Sequence, residues 1–376
     1  MKYYIISGEA SGDLHGANLI KELKKIDSDA TFRCWGGDRM LEVGVDLVKH
    51  YKEISFMGFV EVIKNIDIIF KNRNFCRKDI RKYSPDCVIL IDFPGFNLEI
   101  AKYAKKLGIK VIYFISPQVW AWHKSRVKAI KKYVDKMLVI LPFEKDFYSQ
   151  YNYDVEYVGH PLVDILNEAR NKYQGKRVFI NKYNLGDKKI IALLPGSREQ
   201  EIKKILPIIT SITNEYEEYQ FIIAGVKHFD RAFYEKYSFN KNIDIIYDDT
   251  YNLLFSAEAA IVTSGTATLE TALAKVPQIV CYKGNRLSYL IAKKLVNVKY
   301  ISLVNLIMDK LVVKELIQMD LTVNNIKEEL DKIINDRNYR DNMINNYEML
   351  IRKINSDNAA KKAAMIINNF IYQNKM

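Results

Sequence analysis

Four short stretches carry residue types that can do chemistry, and each follows an apolar run. In the first half, Ser7-Gly8-Glu9-Ala10-Ser11-Gly12-Asp13 follows Tyr3-Tyr4-Ile5-Ile6, and Asp92-Phe93-Pro94-Gly95-Phe96-Asn97 follows Val88-Ile89-Leu90-Ile91. A carboxylate just past a buried strand, facing a cleft, can act as general base on a hydroxyl. The competing reading of Asp92 is a turn or capping aspartate. In the second half, Pro195-Gly196-Ser197-Arg198 follows Ile190–Leu194 and opens a helix with Glu199 and Glu201 in its first turn. Free backbone N–H groups and the helix dipole favour phosphate there, and Arg198 adds a cation. Ser264-Gly265-Thr266 follows Ile261-Val262-Thr263 in the same way. Glu270, one turn further on, can accept both hydroxyls of a ribose or simply complement the dipole. Two such loops together point to a nucleotide diphosphate. No G-x-x-x-x-G-K-[ST] and no G-x-G-x-x-G occurs, so ATP hydrolysis and dinucleotide binding lose ground.

Further candidates are less specific. Ser116-Pro117-Gln118-Val119-Trp120-Ala121-Trp122-His123 follows a strand pattern. Its tryptophans suit stacking on a sugar or resting at a membrane interface, and equally suit core filling. His160, in Gly159-His160-Pro161-Leu162, can line a cleft or shape a turn. Phe59, Val62, Ile63, Ile66, Ile69 and Phe70 recur at helical spacing beside Lys64, Lys71, Arg73, Arg77 and Lys78. A helix with an apolar stripe is usually a core helix. Here the stripe is wide and its flank basic, which fits shallow insertion into an anionic membrane surface equally well.

These loops need a frame that holds strand ends in register. Strand patterns at Tyr3–Ser7, Thr31–Trp35, Cys87–Ile91, Val111–Ile115 and Met137–Ile140 alternate with helical ones such as Leu14–Lys25 and Glu99–Leu107. Alternation resumes with Ile190–Leu194, Gln220–Ala224, Ile243–Ile246, Ala259–Val262 and Gln278–Cys281. That order predicts α/β architecture with two parallel sheets facing a central cleft. The expected domains are 1–170, a linker over 171–189 where apolar density falls, 190–345, and a helical tail over 346–376.

Bulk properties set outer bounds. A chain of 376 residues accommodates two cores, and a hydrophobic fraction of 49% argues against wholesale disorder. No apolar run approaches the ~18 residues that span a bilayer. The first strand pattern begins at Tyr3 and leaves no room ahead of it for a signal peptide, so a cytoplasmic location is expected. Cys34, Cys76, Cys87 and Cys281 lack metal-ligand spacing, and no metal site is expected. The net charge of +12 favours anionic partners. The basic segments abut apolar ones and no nucleic-acid motif occurs, so no nucleic-acid partner is expected.

Taken in order, several blocks resemble the lipid-A-disaccharide synthase family of inverting glycosyltransferases. They are Ser7–Gly16, Gly36-Gly37, Met57-Gly58 with Glu61-Val62, Ile91–Asn97, Ser116–Trp122, Leu141–Glu144, Val158–Pro161, Leu194–Arg198, Ser264–Glu270 and Ser302–Leu306. The resemblance implies a GT-B fold, two Rossmann-like domains with the C-terminal helix returning to the first. It implies transfer of 2,3-diacylglucosamine from UDP-2,3-diacylglucosamine to the 6-hydroxyl of 2,3-diacylglucosamine 1-phosphate, with no metal and no cofactor. By the same resemblance Asp92 is the base and Arg198 stabilises the leaving diphosphate. Gly196, Ser197, Ser264, Gly265, Thr266, Glu270 and Asn305 belong to the UDP-sugar side. Glu9, Ser11, Asp13, Trp120 and His160 belong to the acceptor side or cleft. Many relatives carry a second acidic residue where this chain has Gly95, which leaves the base role to Asp92 or a neighbour such as Glu9. Peripheral association with an anionic inner-membrane surface is implied, and a homodimer is compatible with it. The rival readings are another GT-B enzyme, such as a nucleotide-sugar epimerase, and a nucleic-acid binder.

Overall fold

The computed structural model describes residues 1–54, 66–122, 125–285, 299–355 and 358–373. The chain folds as two units, Met1–Pro161 with Ser356–Met376, and Leu162–Asn355. Residues 171–189, expected as a linker, hold helix Lys176–Tyr183 within the second unit. That helix buries Phe179 and turns its lysines outward, which is why the stretch reads as poor in apolar residues.

In the first unit the strands are β1 (Lys2–Ser7), β2 (Thr31–Gly36), β3 (Asp46–His50), β4 (Cys87–Ile91), β5 (Lys110–Phe114), β6 (Lys136–Val139) and β7 (Glu156–Tyr157). They form one sheet in the order β3-β2-β1-β4-β5-β6-β7, and every pairing is parallel. β4 is buried at every position and β1 at all but its first, as strands covered on both faces require. The C-terminal helix Ala359–Gln373 belongs to this unit and packs on helix Ala10–Ile26. It presents Ala359, Ala360, Ala363, Ala364, Ile367 and Ile371 as its buried stripe, the four alanines permitting close approach.

The second unit carries β8 (Lys189–Leu194), β9 (Tyr219–Gly225), β10 (Asp244–Tyr247), β11 (Ala257–Thr263), β12 (Gln278–Tyr282) and β13 (Lys314–Ile317). Their order is β10-β9-β8-β11-β12-β13, again all parallel. The sequence patterns missed β3, β7 and β13. All three lie at sheet edges, are only partly buried, and lack a continuous apolar run.

Both sheets have a topological switch point, where neighbouring strands send their crossovers in opposite directions. In the first it falls between β1 and β4, with Ser7 beside Ile91. In the second it falls between β8 and β11, with Leu194 beside Val262.

A buried polar network locks helix Ile66–Tyr83 to the first sheet. Asp79 accepts from Tyr4 Oη, Arg33 Nε and Arg33 Nη2, each at 2.8 Å, and Trp35 Nε1 donates to Tyr4 Oη at 2.7 Å. Burial pushes the Asp79 carboxyl up, but the hydrogen bonds from Arg33 and Tyr4 outweigh it and hold the pKa below the ordinary value. Its stabilisation is therefore full above the unfolded pKa and fades as pH falls through the folded one. Asp79→Ala, which strands Arg33 and Tyr4, should lower the urea-unfolding free energy of this unit by about 2–4 kcal/mol. An unchanged urea midpoint would show that the network contributes nothing.

Candidate functional site

At the first switch point, Asp92 follows the last residue of β4. Asp92 and Phe93 both adopt left-handed backbone, with φ of 42° and 48°. Such conformations cost roughly 1 kcal/mol or more per non-glycine residue and persist only where neighbours impose them. Phe93 leans over the β1 loop: a Cβ on Gly8 would come within 2.3 Å of its ring. Gly8 is therefore the residue that lets the two strand ends close up. Burial, then the nearby Glu9 carboxylate, push Asp92 up from 3.8 to about 6, against a hydrogen bond from the Phe93 backbone. Glu9 caps helix Ala10–Ile26 through its backbone, with Asp13 N donating to its carbonyl at 3.0 Å. The carboxylate pair that Gly95 denies within the β4 loop is thus formed between two loops. A side chain at Gly95 would meet only open space.

The remaining acceptor-side candidates divide. Ser11 is exposed on the first turn of its helix. Asp13 is 2% exposed and accepts from the backbone N–H of Gly37, Arg39 and Met40 at 2.7–3.1 Å. It is a capping aspartate that ties helix Asp38–Glu42 to helix Ala10–Ile26, with little acceptor capacity left for a ligand. Trp120 is buried, its ring edge-on to Phe143 at 4.9 Å. His160 is also buried: desolvation, then the neighbouring His15, lower it to about 3, so it is a neutral imidazole at ordinary pH.

At the second switch point, Gly196 has φ of 109°, and a Cβ there would lie 2.6 Å from Glu201 Oε2. Only glycine fits this turn. Arg198 is the N-cap of helix Glu199–Thr210, with its side chain 62% exposed and 3.6 Å from Glu201. Ser197 is exposed beside it. Across β8 and β11, exposed Gly265 and Thr266 open helix Thr266–Leu273, and Ser264 Oγ donates to the Ile301 carbonyl at 3.1 Å. Two helix N-termini and a guanidinium at the carboxyl edge of one sheet can hold an anion.

Glu270 lies further along that helix and lines a cavity of about 360 Å³ with Lys172, Asp248, Asp249, Tyr251 and Asn252. Burial raises its carboxyl, and Tyr251 Oη donates to Oε1 at 2.9 Å, opposing the rise. Glu270 is thus a half-buried acceptor beside a cavity and not merely a dipole partner. No sequence pattern marks Tyr251, which sits nineteen positions away on another helix.

Asn305 departs from expectation. It is fully buried, and its Nδ2 donates to Val313 O at 2.9 Å and Glu315 Oε1 at 2.8 Å. Its Oδ1 accepts from Val312 N and Val313 N at 2.8 and 3.0 Å. Both amide hydrogens and both lone pairs of that side chain are engaged, which leaves no hydrogen-bonding capacity for a ligand. Glu315 in turn receives the N–H groups of Ile301 and Ser302. Asn305 therefore braces the segment on which Ser264 rests.

The described end of the apolar helix is on the surface. Ile66 is 48% and Phe70 46% exposed, Ile68 is exposed, and Ile69 is partly buried. The residues of helix Ile66–Tyr83 that enter the core are Asn72, Cys76, Asp79 and Ile80. Phe59, Val62 and Ile63 lie outside the described residues. Among the described residues, no helix is long and apolar enough to cross a membrane.

A family model described as lipid-A-disaccharide synthetase matches residues 3–368. The chain is 37% identical over 373 residues to the lipid-A-disaccharide synthase of Coxiella burnetii (strain CbuG_Q212), covering 98% of each. It is 38% identical over 369 residues to that of Syntrophus aciditrophicus (strain SB), covering 96% of each. Among solved structures it is similar to the UDP-GlcNAc 2-epimerase of Neisseria meningitidis bound to UDP-GlcNAc, with a TM-score of 0.67 at 16% identity over 99% of this chain and 100% of that one. The S. aureus MnaA–UDP co-structure gives a TM-score of 0.67 at 15% identity over 100% and 97%. These structural likenesses establish the GT-B fold.

The raised Asp92 pKa has a sign that can be checked. Because the folded value lies above the unfolded one, Asp92 weakens the fold as pH rises from 3.8 through about 6. Asp92→Asn should therefore stabilise the first unit at pH 7.5, by up to about 3 kcal/mol. Carboxyl ¹³C NMR should show Asp92 titrating near 6, and Glu9→Gln should move that midpoint down. A midpoint near 4 in the unsubstituted protein would refute the desolvated pair.

Proposed function

The chain belongs to the lipid-A-disaccharide synthase family, hexosyltransferases of lipid A biosynthesis, and on that footing we propose its substrates and mechanism. The donor is UDP-2,3-diacylglucosamine and the acceptor is the 6-hydroxyl of 2,3-diacylglucosamine 1-phosphate. The products are the β-1,6-linked disaccharide 1-phosphate and UDP. Asp92, ionised above about 6, takes the proton of the 6-hydroxyl as the oxygen attacks C1 of the donor sugar. Attack from the face opposite UDP inverts that carbon. The C1–O bond breaks toward the diphosphate, whose charge falls to Arg198 and to the backbone N–H groups at Gly196–Ser197 and Gly265–Thr266. This reading gives the leaving-group charge to the protein and not to a metal ion. Glu270 holds the ribose hydroxyls, with Ser264 braced through Ile301.

One observation carries the reading. Each parallel sheet offers one polar loop pair at its switch point, and the two pairs have opposite chemistry. One holds a desolvated carboxylate and the other an anion cradle. The exposed Ile66, Ile68 and Phe70, followed by Lys71 and Arg73, support docking of the first unit on an anionic membrane, where acylated substrates reside. On this reading the enzyme is peripheral to the cytoplasmic face of the inner membrane.

The test is disaccharide formation in detergent micelles with EDTA present, followed by mass spectrometry. Product is expected with EDTA, and Asp92→Asn should lose about 10²–10⁴-fold in kcat while still binding UDP. Its kcat should fall tenfold per pH unit below about 6. Near-wild-type turnover by Asp92→Asn would remove it as base, and loss of product in EDTA would restore a metal. Separately, changing Ile66, Ile68 and Phe70 to Ser should reduce co-sedimentation with anionic vesicles and leave the thermal transition in place. Undiminished co-sedimentation would place docking elsewhere.

A further inference from the structure

The base is only as well placed as the backbone that carries it, and that backbone is strained. Asp92 and Phe93 are consecutive left-handed residues, and neither is glycine. Left to itself, the chain would relax toward ordinary backbone and swing the carboxyl away. Asn97, one turn into helix Pro94–Lys106, prevents this. It is 0% exposed, and its Nδ2 donates to the Asp92 carbonyl at 2.7 Å and to the Ile91 carbonyl at 3.2 Å. Both partners are acceptors, so only the amide nitrogen can face them. Tyr113, fully buried on β5, donates its hydroxyl to the same Asp92 carbonyl. Asp92 N in turn donates to the Ile115 carbonyl at 3.3 Å. The Asp92 carbonyl is thus held from two elements, and the Asp92 N–H, in the preceding peptide group, from a third position.

We infer that Asn97 and Tyr113 are positioning residues for the proposed base, clamping the strained Asp92–Phe93 backbone so that the Asp92 carboxylate stays beside the Glu9 loop. The inference rests on the reading of Asp92 as base, but the clamp has a consequence that does not depend on turnover. When it is removed, Asp92 gains solvent and leaves Glu9, so its ionisation reverts toward that of an ordinary aspartate. When the reaction is measured, a displacement of about 1 Å is enough to cost up to ~10²-fold in rate.

The experiment combines both readouts on Asn97→Ala. Expected are a ten- to hundredfold fall in kcat, an unchanged Kd for UDP, and a downward shift of the Asp92 ¹³C midpoint from about 6. In the Asp92→Asn background, Asn97→Ala should cost little further activity, because the group it positions is already gone. A wild-type kcat, or a loss that multiplies fully with that of Asp92→Asn, would overturn the inference. If the unsubstituted protein makes no disaccharide, the functional reading falls and the NMR midpoint still decides the clamp: an unmoved midpoint overturns it. Should Asn97→Ala fail to fold, Tyr113→Phe removes one hydroxyl and is expected to shift kcat and the midpoint in the same directions, severalfold in rate. No change in either would sink the proposal.

Discussion

The organising constraint is the switch point of a parallel sheet. Where two neighbouring strands send their crossovers in opposite directions, no helix covers their carboxyl ends, and backbone polar groups and loop side chains are left facing outward together. Here that happens once per sheet, between β1 and β4 and between β8 and β11. Register does the rest. Ser7 beside Ile91 brings Glu9 to Asp92, and Leu194 beside Val262 brings Arg198 to the same edge as Thr266. Every candidate group of consequence depends on those pairings.

The two edges diverge in electrostatics because their loops use the backbone differently. After β4 the chain turns through two left-handed non-glycine residues, and Phe93 closes over Gly8. The result is a desolvated turn in which one carboxylate raises the pKa of another. After β8 the left-handed position is Gly196, with no side chain to shield the turn. The helix that follows starts at Arg198, whose side chain is exposed. One edge thus suits holding and moving a proton, and the other suits anionic oxygen.

Much of this was legible in the chain. Buried central strands announce themselves as continuous apolar runs, so the polar residues that end them stand out. Asp92, Arg198, Ser264 and Glu270 stand out as candidates that way. The same logic misled at Asp13 and Asn305. Each is a polar residue in a matching block, and in each case neighbouring backbone N–H groups take the side chain. Residue type cannot distinguish a carboxylate or amide that meets a ligand from one that braces a loop. Edge strands β3, β7 and β13 escaped notice because half-buried strands need no apolar run.

What the sequence by itself determined is the class of architecture, the strand-to-turn junctions and the two kinds of chemistry available at them. These follow from local rules: apolar periodicity, glycine where φ must be positive, and polar caps at helix starts. Only the tertiary structure decided which junctions are neighbours, that Glu9 supplies the charge missing at Gly95, that Tyr251 reaches Glu270, and that Asn97 with Tyr113 holds Asp92 in a strained turn. Those facts join residues far apart in the chain, through strand order and packing. Local patterns do not encode the order of strands in a sheet; burial of all the strands and helices at once does.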